Sequence, residues 1–140
     1  MRSSAWQSGW ACRSSRAVTD LRPLTDYATV GTWLDGLRRH WGGDPERDDP
    51  ERLAILEAFC RFAGNDPDTI IGECVLERDG EKRIRAKGRR RYAELITQFQ
   101  SQVEGSRLKR VKWGNTIRSF LIHNGVLLQA GLQGGDPQTP

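Results

Sequence analysis

The sequence contains few of the residue types on which catalytic and metal sites depend. Its 140 residues include only three cysteines and two histidines. Cys12, Cys60 and Cys74 form no Cys-x-x-Cys pair, and this odd count favours a reduced, cytoplasmic protein over a disulfide framework. A zinc site built from Cys60, Cys74, His40 and His123 stays open as an alternative, although no paired ligand spacing supports it.

Recognisable catalytic motifs are also absent from the sequence. Neither histidine has a Ser, Cys or carboxylate near it in the pattern of a known nucleophilic site, and no Walker loop occurs. We therefore expect no catalytic activity and no cofactor. No run approaches 18 apolar residues, so we expect no membrane span.

Charge is what the sequence does have, and it is unevenly distributed. Residues 78–118 carry 13 Lys and Arg against 4 Asp and Glu, a balance of +9. Residues 20–77 carry 6 against 13, a balance of −7, and the whole chain has a net charge of +4. This polarity is typical of a domain that presents one face to a polyanion, although solvated helix faces produce similar runs.

Composition and periodicity divide the chain into three parts. Residues 1–22 are rich in Ser and Arg without a sustained period, which predicts a disordered leader. Residues 23–128 predict one helical domain, and residues 129–140 predict a flexible tail or linker. The predicted fold is an all-α, compact bundle of four to five helices.

Helix start and stop signals place these helices. Apolar spacing predicts a helix over residues 27–40, followed by a polar loop over 44–49. Asp49-Pro50 and Asp66-Pro67 each combine an N-cap carboxylate with proline at the first helical position. Asp79-Gly80 predicts a charged turn, and no strand is expected. A long helix to about residue 104 has one apolar stripe, made of Ile84, Gly88, Tyr92, Leu95, Phe99 and Val103.

The final predicted helix, over residues 106–125, has two different faces. One face is apolar and is formed by Trp113, Ile117, Phe120, Leu121 and Asn124. The other is cationic and hydroxyl-bearing and is formed by Lys109, Lys112, Thr116, Ser119 and His123. The first face is expected in the core, and the second is expected to meet an anionic partner.

Two groups of residues are therefore candidate phosphate contacts. The first basic cluster comprises Arg85, Lys87, Arg89 and Arg90, with Arg83 and Arg91 beside it. The second basic cluster comprises Lys109, Arg110 and Lys112, together with the hydroxyl of Thr116. Ammonium, guanidinium and hydroxyl groups are the groups that contact phosphates and base edges in DNA complexes. Double-stranded DNA is the expected partner, although a basic helix alone could equally bind an acidic protein surface or RNA.

Three segments, in this order, also resemble a known family. They are Thr32-Trp33-Leu34, the stretch LEAFCRFAGNDPDTII from Leu56, and IRSFLIHNG from Ile117. Together they resemble the N-terminal, SAM-like core-binding domain of tyrosine recombinases of the phage-integrase type, over about residues 30–128.

This resemblance implies a non-catalytic helical clamp that grips DNA opposite a separate catalytic domain. It implies DNA contacts from Lys109, Arg110, Lys112 and Thr116 in the last helix, and from Arg47 and Arg52 near the second. It also implies that Arg118 supports the fold. The Arg, His, Arg and Tyr constellation of the family's catalytic half has no counterpart in this sequence.

A second hypothesis is a protein-interaction or self-association module without a nucleic-acid role. Its acidic and basic halves would then contact each other between copies, or contact a recombinase partner. A gene remnant or an enzyme of unrecognised type is the third alternative.

Overall fold

The computed structural model describes residues 21–126, and this part is mostly helical. The predicted leader and tail therefore lie almost entirely outside the described residues. After a 3-10 turn at Leu24–Asp26, the elements are α1 (Ala28–Trp41), α2 (Pro45–Asp48), α3 (Glu51–Ala63), α4 (Pro67–Cys74), β1 (Val75–Arg78), β2 (Glu81–Ile84), α5 (Ala86–Ser101) and α6 (Arg107–His123).

The core forms where α6 packs against α1, α3 and α5. Ile117, Phe120 and Leu121 of α6 are fully buried, as the apolar face of the last helix predicts. Phe120 packs edge-on against Trp33 of α1, with ring centroids 5.6 Å apart. The helical bundle expected from the sequence is therefore present, although a specifically SAM-like arrangement stays a prediction.

Local signals explain why several helices begin and end where they do. The Asp66 carboxylate accepts a hydrogen bond of 2.7 Å from the Thr69 backbone N–H, and Pro67 occupies the first turn of α4. Ser106 caps α6 through a 3.1 Å bond from the Lys109 N–H. Gly64 ends α3 in the left-handed conformation, at φ 81°. The Asp66 cap confirms the helix start predicted from Asp66-Pro67.

The Asp49-Pro50 signal has a different outcome. The N-cap position of α3 is taken by Pro50, and no side chain caps this helix. The Asp49 carboxylate lies instead 3.4 Å from Lys112 Nζ. The prediction of an Asp49 cap is wrong because a tertiary ion pair competes for the same carboxylate. The predicted loop over 44–49 also contains the short helix α2, which the Asp44 side chain caps at the Glu46 N–H.

The prediction that no strand occurs is wrong. β1 and β2 form an antiparallel hairpin in which Val75 pairs with Ile84 and Arg78 pairs with Glu81. Asp79 and Gly80 form its two-residue turn with φ of 54° and 79°, the positive values that a type I′ turn requires. Ile84 is consequently 38% exposed in β2 and does not belong to the buried stripe of α5.

The number of helices also differs from the expected four to five. There are six α-helices in the described part, because α2 has only 4 residues and adds one that the sequence did not indicate. The remaining five correspond to the predicted helices. Tyr92, Leu95 and Phe99 of α5 are buried as predicted.

Candidate nucleic-acid interface

The first basic cluster lies where the hairpin passes into α5. Arg85 occupies the N-cap position, and its backbone N–H donates to the Cys74 carbonyl at 2.7 Å. Lys87 and Arg90 are exposed in the first turns of the helix, and Arg89 is half-buried. The first turn of α5 contains no acidic residue and no side-chain cap, so cations stand at the positive end of the helix dipole.

The cations of this cluster have no carboxylate partner within the described residues. Their neighbour Arg91 differs, because its Nη1 lies 3.2 Å from Glu73 Oε1. Arg85 makes one long contact from its side chain, of 3.4 Å, to the Gly72 carbonyl. The first basic cluster thus keeps its positive charge uncompensated at the surface.

Close packing between α4 and α5 fixes the position of this cluster. Gly88 faces the C-terminal end of α4, where a Cβ atom would overlap the Glu73 carbonyl. One turn later, Tyr92 is fully buried and donates its hydroxyl hydrogen bond to Glu73 Oε1 at 2.5 Å. Asn65 donates to the same hydroxyl at 2.8 Å. The start of α5 is therefore held by buried contacts while its cations point outward.

The second basic cluster lies at the opposite end of α5. Phe99 of α5 and Trp113 of α6 have ring centroids 5.8 Å apart, so the end of α5 lies beside the beginning of α6. Lys87 and Ser101 are separated by about 20 Å of helix at 1.5 Å per residue. The two clusters therefore lie at opposite ends of α5, about 20 Å apart along its axis.

Within the second cluster, the side chains of Lys109 and Arg110 contact neutral groups. Lys109 Nζ lies 5.5 Å from the centroid of the Trp113 ring, a cation–π distance. Arg110 Nη1 donates to the Gly105 carbonyl at 2.8 Å. Both partners are uncharged, so both side chains keep their net positive charge.

Lys112, by contrast, is paired with acidic side chains. Its ammonium lies 2.7 Å from Glu51 Oε1 and 3.4 Å from Asp49 Oδ2. The hydrogen bond with Lys112 lowers the pKa of Glu51, and the same bond raises the pKa of Lys112. The sequence did not indicate this pairing, because residues 51 and 112 are far apart in the chain.

The predicted cationic face of the last helix is not continuous. Thr116 donates its hydroxyl to the Lys112 carbonyl at 2.7 Å. Ser119 accepts a bond of 3.1 Å from the Trp33 indole N–H, and the His123 ring lies 5.5 Å from that of His40, centroid to centroid. The C-terminal half of this face therefore contacts α1 and is not an open surface.

The residues that the resemblance adds are divided between surface and structural positions. Arg47 is exposed, with its Nε 3.9 Å from Asp48. Arg52 donates to the Pro45 carbonyl at 3.2 Å and lies 3.9 Å from Asp49. Arg118 is half-buried, donates to Asn115 at 3.0 Å, and its pKa is lowered by burial.

The two cysteines of the described part are buried. Burial raises the pKa of the Cys74 thiol to about 11 and raises that of Cys60 further. Both thiols are therefore protonated at neutral pH. Residues 21–126 contain no group of three or more His, Cys, Asp or Glu side chains arranged to hold a metal ion. No helix within that range is long and apolar enough to cross a membrane.

Comparisons of the chain with protein-family models, with curated proteins and with solved structures found no match.

Proposed function

We propose that this chain is a DNA-binding helical module without catalytic activity of its own. The observation that carries the proposal is the first basic cluster, whose cations lie at the surface with no carboxylate partner in the described part of the chain. Uncompensated like charges at this density repel one another, and phosphates relieve that repulsion. Binding to them also releases condensed counterions, which provides affinity.

The position of the cluster favours a long polyanion over a small anion. Its side chains lie at the start of α5, where Lys87 and Arg90 are exposed. Lys109 and Arg110 of α6 provide further positive charge beside the other end of α5. The two ends of α5 are about 20 Å apart. A duplex carries phosphates over this distance in both strands, so one DNA molecule can reach both ends of α5.

The family resemblance gives a finer version of this proposal, in which the module is the core-binding half of a recombinase. The three resembling segments lie in α1, in α3 and α4, and in α6, and these helices belong to one core. Trp33 of the first segment touches Ser119 and Phe120 of the last. The partner would then be a separate catalytic domain bound to the same DNA.

The test compares two neighbouring arginines on the same helix. Arg90→Gln removes an unpaired cation, whereas Arg91→Gln removes one that Glu73 already partners. Both variants lose the same formal charge. Binding to a fluorescent duplex is measured by anisotropy over a salt series.

For four phosphate contacts, the slope of log K against log salt is about −3.6, and affinity falls about a hundredfold between 50 and 200 mM salt. Arg90→Gln is expected to reduce the slope by about 0.9, and Arg91→Gln to leave it nearly unchanged. Equal effects of the two variants, or no binding to duplex at low salt, would contradict the proposal. Single-stranded DNA and RNA of matched length identify the preferred nucleic acid.

Self-association is a second candidate function, and two exposed apolar side chains favour it. Trp41 at the end of α1 and Leu108 at the start of α6 are each 81% exposed. Large exposed apolar side chains are enriched in protein interfaces. Sedimentation velocity over a concentration series, with and without DNA, separates the two functions. A dimer whose formation does not depend on DNA would favour self-association.

A further inference from the structure

Lys112 faces the acidic start of a neighbouring helix. Glu51 is the first residue of α3, and Asp49 lies two residues before it. Their carboxylates approach the same ammonium at 2.7 Å and 3.4 Å. Two carboxylates share this one ammonium, and Arg52 lies 3.9 Å from Asp49, so the patch is neutral overall and Lys112 contributes no net positive charge to it. The patch lies within the second basic cluster, which the DNA proposal needs to be positive.

These carboxylates do not have the structural role that their sequence positions suggest. An Asp before Pro at a helix start ordinarily accepts a bond from a backbone N–H of the first turn. Here the α3 start has no side-chain cap, and Asp49 contributes only its backbone carbonyl, to the Arg52 N–H at 3.1 Å. The Asp49 side chain is directed to Lys112, with Arg52 a longer 3.9 Å away.

We infer that Asp49 and Glu51 form an autoinhibitory contact, in which the acidic start of α3 occupies Lys112 in place of a nucleic-acid phosphate. This inference rests on the proposed function. In the closed arrangement, DNA is bound by the first basic cluster together with Lys109 and Arg110. When the contact opens, Lys112 becomes an additional phosphate ligand, and two carboxylates no longer need to lie beside the DNA.

The contact is suited to opening because none of its members is buried. The side chains of Lys112 and Glu51 are each 44% exposed, and that of Asp49 is 27% exposed. Ion pairs at such positions are weak and are screened by salt. A phosphate approaching Lys112 therefore competes with partners that water already reaches.

The test neutralises the acids without changing their size. Asp49→Asn/Glu51→Gln is compared with Glu57→Gln, which removes an acid from the middle of α3 whose partner is Arg61. Lys112→Gln is then added to the double variant. Duplex binding is measured by anisotropy over a salt series, and circular dichroism checks that each variant is folded.

One new phosphate contact is expected to make the slope of log K against log salt steeper by about 0.9, which is nearly tenfold tighter binding at about 0.1 M salt. Adding Lys112→Gln is expected to abolish the additional slope. Glu57→Gln is expected to leave the slope unchanged.

The remaining outcomes separate this inference from the proposed function. If the unmodified chain binds duplex and the double variant has the same slope, the autoinhibitory contact is overturned while DNA binding stands. The same conclusion follows if the additional slope persists after Lys112→Gln. If the unmodified chain fails to bind but the double variant binds, the inhibitory contact is supported, whereas the proposal that the first basic cluster binds DNA in the closed arrangement is contradicted. If neither binds, both proposals are overturned.

Discussion

Gly88 allows α5 to approach the end of α4, and its hydrogen atom lies where any other residue would place a Cβ atom against the Glu73 carbonyl. We expect Gly88→Ala to lower the free energy of unfolding by about 1–3 kcal/mol, because backbone atoms must move apart. Gly72→Ala in α4 is the matched control, since nothing lies within 4 Å of its Cβ position. There, alanine is expected to stabilise the protein by about 0.5–1 kcal/mol. Urea unfolding of both variants measures the difference, and effects of the same sign would contradict the close approach.

The two helices that begin with an Asp-Pro sequence differ in whether the aspartate caps them. Asp66 caps α4 through the Thr69 N–H, whereas Asp49 does not cap α3. Asp66→Ala should cost about 0.5–2 kcal/mol of stability, and Asp66→Asn should retain most of it, because asparagine caps equally well. Asp49→Ala removes only exposed ion pairs, for a cost of about 0–1 kcal/mol. If thermal or urea unfolding gave Asp49→Ala and Asp49→Asn the pattern expected of Asp66, α3 would be capped after all.

Stability of the whole molecule should fall as the pH drops through the histidine range. The pKa of His123 is lowered first by burial and then by electrostatic interaction with the neighbouring His40 and Arg39. The unfolded chain, in which histidine titrates near pH 6.5, therefore binds more protons than the folded one. The contribution of neutral His123 to the free energy of unfolding is fully present above about pH 6.5 and is lost as the pH falls below that value.

The urea midpoint, measured between about pH 7.5 and 5.5, should therefore decrease in the unmodified chain. His123→Gln should have a flatter profile over this window, whatever its absolute stability. An unchanged slope would mean that other groups cause the pH dependence.

A feature of this molecule could be predicted from the sequence when the residues that determine it lie close together along the chain. Five helices could be predicted because the apolar stripe of each lies within a few turns of chain; they are α1, α3, α4, α5 and α6. The hairpin could not be predicted because its strands have four residues each and its second strand is exposed throughout, so no alternation of polarity marks it. Asp79-Gly80 is a local signal, but by itself it predicts only a turn.

The candidate site divides in the same way. The first basic cluster lies within residues 85–90, so its density is visible in the sequence. Its lack of carboxylate partners among the described residues depends on the tertiary structure and is not. The pairing of Lys112 with Asp49 and Glu51 joins α6 to the start of α3 and leaves no trace in local spacing. Ser119 and His123 share a helical face with Lys112, but the crossing of α1 covers them.

The first basic cluster lies at the start of α5, and the second lies in α6 beside the end of α5. If one duplex contacts both clusters, as proposed, the length of α5 sets the shortest duplex that can do so. About 20 Å of helix corresponds to about six steps of 3.4 Å along one DNA strand. Lengthening α5 by one turn would lengthen the shortest such duplex by about one and a half base pairs, without a change in the charge of the protein.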